Sequence, residues 1–241
     1  MKMLIGIIFL LLSMTIYAAQ TAPVGGFTRN FVTTDPILNA KITILESGET
    51  ITTDNTGHFG PIDWPIGKPI TFVIEKIGFR TTQTATMIVP PEGLTSKYNN
   101  FSLQPVDSFT FALLTSILGE KLDESKCHVA TTVLGFHKTL EDLPQGEKES
   151  QIVLMPFSSE TPFYFDIFKD GPLKDYPNPF TKGLTQTSAD GGVVFANLEP
   201  RDDYYTLTAI KPGVGFTQTK FLCRKGVFIN VSPPLGPMAD V

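Results

Sequence analysis

The sequence predicts an all-β protein of two antiparallel β-sandwich units, with room for one short helix near 109–120. Three observations carry this. Apolar and polar residues alternate with a period of two in stretches such as "KITI" (41–44) and "YYTLTAI" (204–210), as half-buried strands require. The 20 Gly and 19 Pro punctuate the chain with turns, and the 19 Phe favour pleated surfaces over long helices. A short pattern in the first quarter also returns in the last: Thr53, Gly57 and Phe59 are matched in spacing by Thr187, Gly191 and Val193.

Residues 1–19 stand apart. A single Lys2, an apolar run from Leu4 to Ile16 and the small pair Ala18-Ala19 have the layout of a secretory signal peptide. The run falls short of the roughly 20 residues that cross a bilayer. No later apolar run reaches that length, so no stable membrane insertion is expected after cleavage. The expected address is the periplasm or the medium. In such an oxidising compartment an even number of cysteines implies pairing, here Cys127 with Cys223. Closing a loop of about 100 residues is worth ~4–5 kcal/mol in a chain-entropy treatment.

The first unit is expected at 24–105. "AKITIL" is a strand, "SGE" a turn and "TITT" a short strand. "DNTG" (54–57) turns the chain, because Asp and Asn bond their own backbone and Gly accepts positive φ. "ITFVIEK" (70–76) follows as a strong strand, and "SLQPVDS" (102–108) marks a boundary. The second unit is expected at 109–234. It opens on "FTFALLTSILGEKL", which reads equally as helix or strand. "CHVATTVLGF", "QIVLMPF", "SSETPFYFDIF", "VVFANL", "YYTLTAI", "TKFLC" and "GVFINVS" read as strands. "KDGPLKDYPNPFTKG" (169–183) reads as a long loop, and 235–241 as a loose tail.

The stretch "TTDNTGHF" (52–59) poses a choice between a polar site and a turn. In the second copy His58 becomes Gly192, Asp54 becomes Ser188 and Asn55 becomes Ala189, while Thr and Gly stay. A cluster that loses its polar members but keeps its turn residues is a turn.

The signature Pro36-Ile37, Ala40, Ile42, Ile44, Thr53-Asp54, Gly57, Phe59, Gly67 and Gly78-Phe79 resembles the carboxypeptidase regulatory-like domains. Those are small prealbumin-like (transthyretin-like) β-sandwiches, related to carbohydrate-binding-like modules. Asp35 and Asn39 stand where the family usually has Gly, and both suit turns. The resemblance covers 27–105 well and 185–232 more weakly, leaving 106–184 unplaced. It implies a β-sandwich scaffold whose function sits on end loops.

Net charge is −5, which speaks against nucleic acid, whose phosphates are met by Lys and Arg. Motifs for a nucleophile elbow, a zinc helix or a phosphate loop are absent from the sequence. Enzymes on related sandwiches hold iron through paired Tyr and His, yet the contexts of Tyr204-Tyr205, His128 and His137 do not match. The acid pairs Glu141-Asp142 and Asp202-Asp203 read as solvated loop charge. No cofactor, metal ligand or catalytic residue is expected. The expectation is an exported, non-enzymatic binding protein for a carbohydrate or a protein surface, with host cells within reach if it is secreted. A small hydrolase or metal-dependent enzyme on the same scaffold is the alternative. Candidate contact residues are Tyr176 and Phe180, assisted by Asp175 and Asn178, and separately Trp64. Aromatic faces beside Asp and Asn suit sugars and protein hot spots alike.

Overall fold

The computed structural model describes residues 19–95, 101–139, 141–232 and 236–240. The signal-peptide reading therefore falls, Ala19 apart, on residues outside that set. The described chain is β-structure with one α-helix. The first half forms β1 (Thr21–Thr28), β2 (Lys41–Ile44), β3 (Thr50–Thr52), β4 (His58–Pro65), β5 (Pro69–Ile70), β6 (Phe72–Glu75), β7 (Thr82–Thr84), β8 (Met87–Ile88), β9 (Leu94–Thr95) and β10 (Ser102–Leu103). Helix α1 (Ser108–Leu118) follows. The second half forms β11 (Cys127–Thr132), β12 (Gln151–Met155), β13 (Phe163–Tyr164), β14 (Asp166–Ile167), β15 (Pro177–Asn178), β16 (Gly192–Leu198), β17 (Tyr204–Ile210), β18 (Thr219–Leu222) and β19 (Phe228–Asn230).

Each half packs two sheets over its own core. In the first, β10-β1-β4, with β9 alongside β1, faces β3-β2-β6-β7. Ile42, Ile44, Phe59, Phe72, Ile74 and Phe101 fill the space between them. In the second, β13-β16-β11-β19 faces β12-β17-β18 across Val129, Phe195, Leu207, Phe221 and Ile229. The halves are joined edge to edge. β19 pairs in parallel with β7, Phe228 opposite Thr82 and Asn230 opposite Thr84, which makes one eight-stranded sheet through both cores. Pairing is mostly antiparallel. The parallel pairs are those of β1 with β9 and β10, and of β19 with β11 and β7.

The helix-or-strand ambiguity at 109–120 resolves as helix for a local reason. Asp107 caps the N-terminus, its carboxylate accepting from the Thr110 N–H at 2.8 Å, and Gly119 ends the helix at φ 74°. Leu114 and Ile117 then share one face, and Leu114 packs on Ala130, Val194 and Phe228. Those residues lie on the outer surface of β11, β16 and β19. With α1 above and the core below, β11 and β16 are buried on both faces and lose the alternation of a half-exposed strand.

The repeat read from the sequence is a repeat of hydrogen bonds. Thr53 Oγ1 donates to the Ile37 carbonyl at 2.7 Å and accepts from the Ala40 N–H at 2.8 Å. Thr187 Oγ1 donates to the Glu147 carbonyl at 2.5 Å and accepts from the Ser150 N–H at 2.9 Å. The Gly57 carbonyl takes the Thr28 N–H at 2.7 Å, and the Gly191 carbonyl takes the Val133 N–H at 2.9 Å. Both glycines have positive φ, 77° and 75°. Each Thr thus ties the start of its unit's second sheet to the Gly turn that leads back to its first.

Two expectations change. Residues 58–65, which include Trp64 and lie between the "DNTG" turn and the "ITFVIEK" strand, were assigned no strand and form the eight-residue strand β4. Its partner β1 went unread as well. Pro23, Gly25, Gly26, Gly60 and Pro61 break the alternation, and the register shifts between Val24 and Gly26 to absorb them. The tail is also fastened where it is described. Leu134 N–H bonds the Pro237 carbonyl, Ala239 N–H bonds the Leu134 carbonyl, and Asp240 N–H bonds the Gly215 carbonyl.

Candidate functional site

Four of the five predicted contact residues fall in one excursion between β13 and β16. Its stem is the pair β14–β15, Asp166 opposite Asn178 and Ile167 opposite Pro177. Above the stem, Phe168 N–H bonds the Tyr176 carbonyl at 3.0 Å and Asp175 N–H bonds the Phe168 carbonyl at 2.9 Å. Tyr176 N–H closes a turn onto the Leu173 carbonyl at 3.0 Å, with Asp175 at φ 68°. Asn178 Oδ1 accepts the Phe180 N–H at 3.0 Å, an Asx turn that directs the chain back down. The base is tied to the sandwich where Ser188 Oγ donates to the Phe165 carbonyl at 2.8 Å. Pro177 and Pro179 limit the backbone further.

On this frame Tyr176 is 49% exposed and Phe180 61% exposed, and neither belongs to a core cluster of the described residues. Leu173 is exposed beside them in sequence. Phe180 is therefore not a plug in the end of the sandwich. Asn178 Oδ1 already serves the backbone, so a further contact from this side chain would use its amide N–H₂.

Trp64 lies elsewhere. It sits on β4 opposite Ala22, half-buried against the first core, and its indole N–H donates to the Pro69 carbonyl at 3.1 Å. It shares no sheet with the 166–181 excursion. A hollow of about 520 Å³ on the first unit, between Asn30, Asp35, Leu38, Lys76 and Phe79, holds none of the predicted residues.

A second cleft, of about 370 Å³, opens at the foot of the excursion. Leu118 and Glu120 from the end of α1, Glu160 to Tyr164, and Leu184 line it. Lys182 Nζ sits 4.8 Å from the centre of the Phe163 ring. Sequence reading did not single out Glu120, Glu160 or Phe163. Glu120 lies 40 residues before Glu160 in the chain, and the one available signal was an acidic residue within the strand-like "SSETPFYF".

Polar residues weighed earlier have local work. Asp54 Oδ1 accepts the Thr56 N–H and hydroxyl at 2.7 Å each and the His58 N–H at 3.0 Å, and the Thr56 hydroxyl leads in holding this carboxyl below its usual range. Asp142 accepts the Thr139 N–H at 2.7 Å, and Asp203 pairs with Arg201. His128 is buried beside Phe111, and its Nδ1 accepts the Asn197 N–H. Burial, then the Arg80 charge, pushes its pKa down to about 4. Asp190 is buried, with the Gly192 N–H on one oxygen, and burial pushes its pKa up to about 7. Among the described residues no group of three or more His, Cys, Asp or Glu side chains could hold a metal ion. Cys127 and Cys223 are bonded, Cα to Cα 5.7 Å, and fasten β11 to the end of β18 across the second core. No described helix is long and apolar enough to cross a membrane.

No family model and no curated protein matches the chain. Solved structures do align with it. The Bacillus anthracis TIE protein matches over 88% of this chain and 33% of its own, at 13% identity and TM-score 0.28. The shaft pilin SpaA from Lactobacillus rhamnosus GG matches over 92% of this chain and 97% of its own, at 9% identity and TM-score 0.26. A streptococcal ancillary pilin matches over 89% and 63%, at 13% identity and TM-score 0.25. The chain thus spans about a third of the first of these. The sandwich description stands on the sheets above and takes nothing from these low scores.

Proposed function

We propose that this is an exported, non-enzymatic binding protein of two carboxypeptidase regulatory-like sandwiches, which docks on a carbohydrate or protein surface through the 166–181 excursion. The supporting observation is the exposure of Tyr176 and Phe180 on a backbone already fixed by its own hydrogen bonds. A loop ordered before docking loses little entropy on docking, and exposed aromatics offer flat stacking area. Asp175 and the Asn178 amide add polar contacts at the margin. Export, to the periplasm or the medium, is supported by the signal-like leader and agrees with a disulfide in the second core. Trp64 is a weaker candidate, because its N–H and part of its ring are engaged.

The test is a glycan array and a panel of purified surface proteins probed with the mature chain, each repeated with Tyr176→Ala and Phe180→Ala. The reading expects at least one ligand whose signal falls in both variants. Ligands that bind both variants as well as the parent would remove the excursion from the site.

A further inference from the structure

The eight-stranded sheet ends on β13, and among the described residues no strand pairs with its far side. The Phe165 N–H donates to the Gly192 carbonyl at 2.9 Å. Antiparallel pairing alternates, so at Tyr164, opposite Val193, the main-chain N–H and C=O turn away from β16 toward the free edge. Tyr164 is also among the walls of the 370 Å³ cleft. Another free edge, that of β12, is closed by side chains. The Tyr164 hydroxyl takes the Ile152 N–H at 3.2 Å, and Thr187 Oγ1 takes the Ser150 N–H at 2.9 Å. Natural sheets cover or cap their edges in this manner, and an open edge beside a trough is a template for one more strand.

The trough also has a sign. Its charged lining residues are Glu120 and Glu160. Helix α1 ends at Leu118 with no basic residue in its last turn, so its carbonyl end adds negative potential there. Close by, Lys126 pairs with Glu199, and Lys182 lies over the face of Phe163.

We propose that this cleft takes an extended peptide with basic side chains, which adds a strand to β13 through the Tyr164 main chain and sets its cations against Glu120 and Glu160. A sugar would meet the carboxylates as well, but only a peptide matches the outward N–H and C=O of a strand edge. The site needs neither Tyr176 nor Phe180 and stands apart from the excursion reading.

The probe is a fluorescently labelled seven-residue peptide of alternating lysine and valine, titrated at low salt against the full mature chain and followed by anisotropy. Two controls go with it: an alternating glutamate–valine peptide, and the lysine–valine peptide N-methylated at alternate residues, which keeps the charge but blocks strand pairing. The expected result is saturable binding of the first peptide and at least tenfold weaker binding of both controls. Glu120→Gln with Glu160→Gln should weaken binding about fivefold, the size of a rim charge pair, with the melting temperature unmoved. Phe180→Ala should bind as the parent does. The proposal is overturned by no binding of the lysine–valine peptide, by equal binding of either control, by an unaffected Gln double variant, or by loss of binding in Phe180→Ala.

Discussion

Replacing Gly57 tests the turn at 54–57 and, with it, the joint that both units share. Gly57 has φ +77°. A left-handed conformation costs an L-residue with a side chain about 1–2 kcal/mol. A Cβ there would also lie 2.9 Å from the Thr28 carbonyl oxygen, 3.0 Å from Pro36 Cβ and 3.1 Å from the Ile37 nitrogen. Two of these are backbone atoms held by the Gly57–Thr28 and Ile37–Thr28 hydrogen bonds, so they cannot yield cheaply. Overpacking of this kind costs about 1–3 kcal/mol more. Gly48 is the control: its φ is +73°, and nothing lies within 4 Å of its added Cβ. Gly48→Ala should therefore cost about 1–2 kcal/mol and Gly57→Ala about 2–5 kcal/mol. At ~2–4 °C per kcal/mol for a chain of this size, melting should fall by roughly 2–8 °C and 4–20 °C respectively. Gly57→Val should fall further, because its branched side chain must enter the same space. His58→Ala and Asn55→Ser should melt close to the parent, since the turn uses the backbone at 58. Thermal melts of the variants side by side decide the matter. Equal melting of Gly57→Ala and Gly48→Ala would refute the close approach.

Alkylation of the exported protein under denaturing, non-reducing conditions should find no free thiol, and two modified cysteines would break the Cys127–Cys223 assignment. Asp107→Ala should destabilise α1 by about 0.5–2 kcal/mol through loss of its cap, with the far-ultraviolet helical signal falling in step, and an unchanged melt would leave the cap without a role. His128 and Asp190 should pull stability in opposite directions with pH. The His128 pKa is lowered from 6.5 to about 4, so its contribution is complete above pH 6.5 and is lost as pH falls toward 4. The Asp190 pKa is raised from 3.8 to about 7, so its contribution is complete below pH 3.8 and is lost as pH rises toward 7. Asp190→Asn keeps an acceptor for the Gly192 N–H and removes the buried charge. It should exceed the parent in stability at pH 8, by up to a few kcal/mol at about 1.4 kcal/mol per tenfold change in acidity, and the gap should close by pH 4. A constant gap across that range would contradict the assignment.

The strands that were legible are those with one wet face. In "KITI" and "YYTLTAI" the buried residues Ile42, Ile44, Tyr205, Leu207 and Ala209 alternate with exposed or half-exposed ones, so the pattern in the sequence is the pattern in space. β1 and β4 were illegible because Gly and Pro interrupt them, and the pairing that makes them strands lies in a partner distant in sequence. The 109–120 region was ambiguous because its capping residues decide the outcome, while apolar density alone allows both readings. The joint between β7 and β19 left no local trace. It depends on two short strands meeting 146 positions apart in register, Phe228 opposite Thr82. For the candidate site, the Pro-, Asn- and aromatic-bearing loop could be read, since those residues announce an exposed turn. The cleft beneath it could not, because Glu120 and Glu160 meet only once α1 has folded over the sheet.

On the proposed function, Tyr176 and Phe180 are exposed for contact and not for packing. This is tested most directly by measuring the melting temperature and the ligand affinity of Tyr176→Ala and Phe180→Ala on the same samples, against whichever ligand the array and panel identify. The expected result is melting within a degree or two of the parent and weakened binding in both variants. A loss of about 3–5 kcal/mol of stability, as truncation of a buried Phe produces, with binding intact would contradict it.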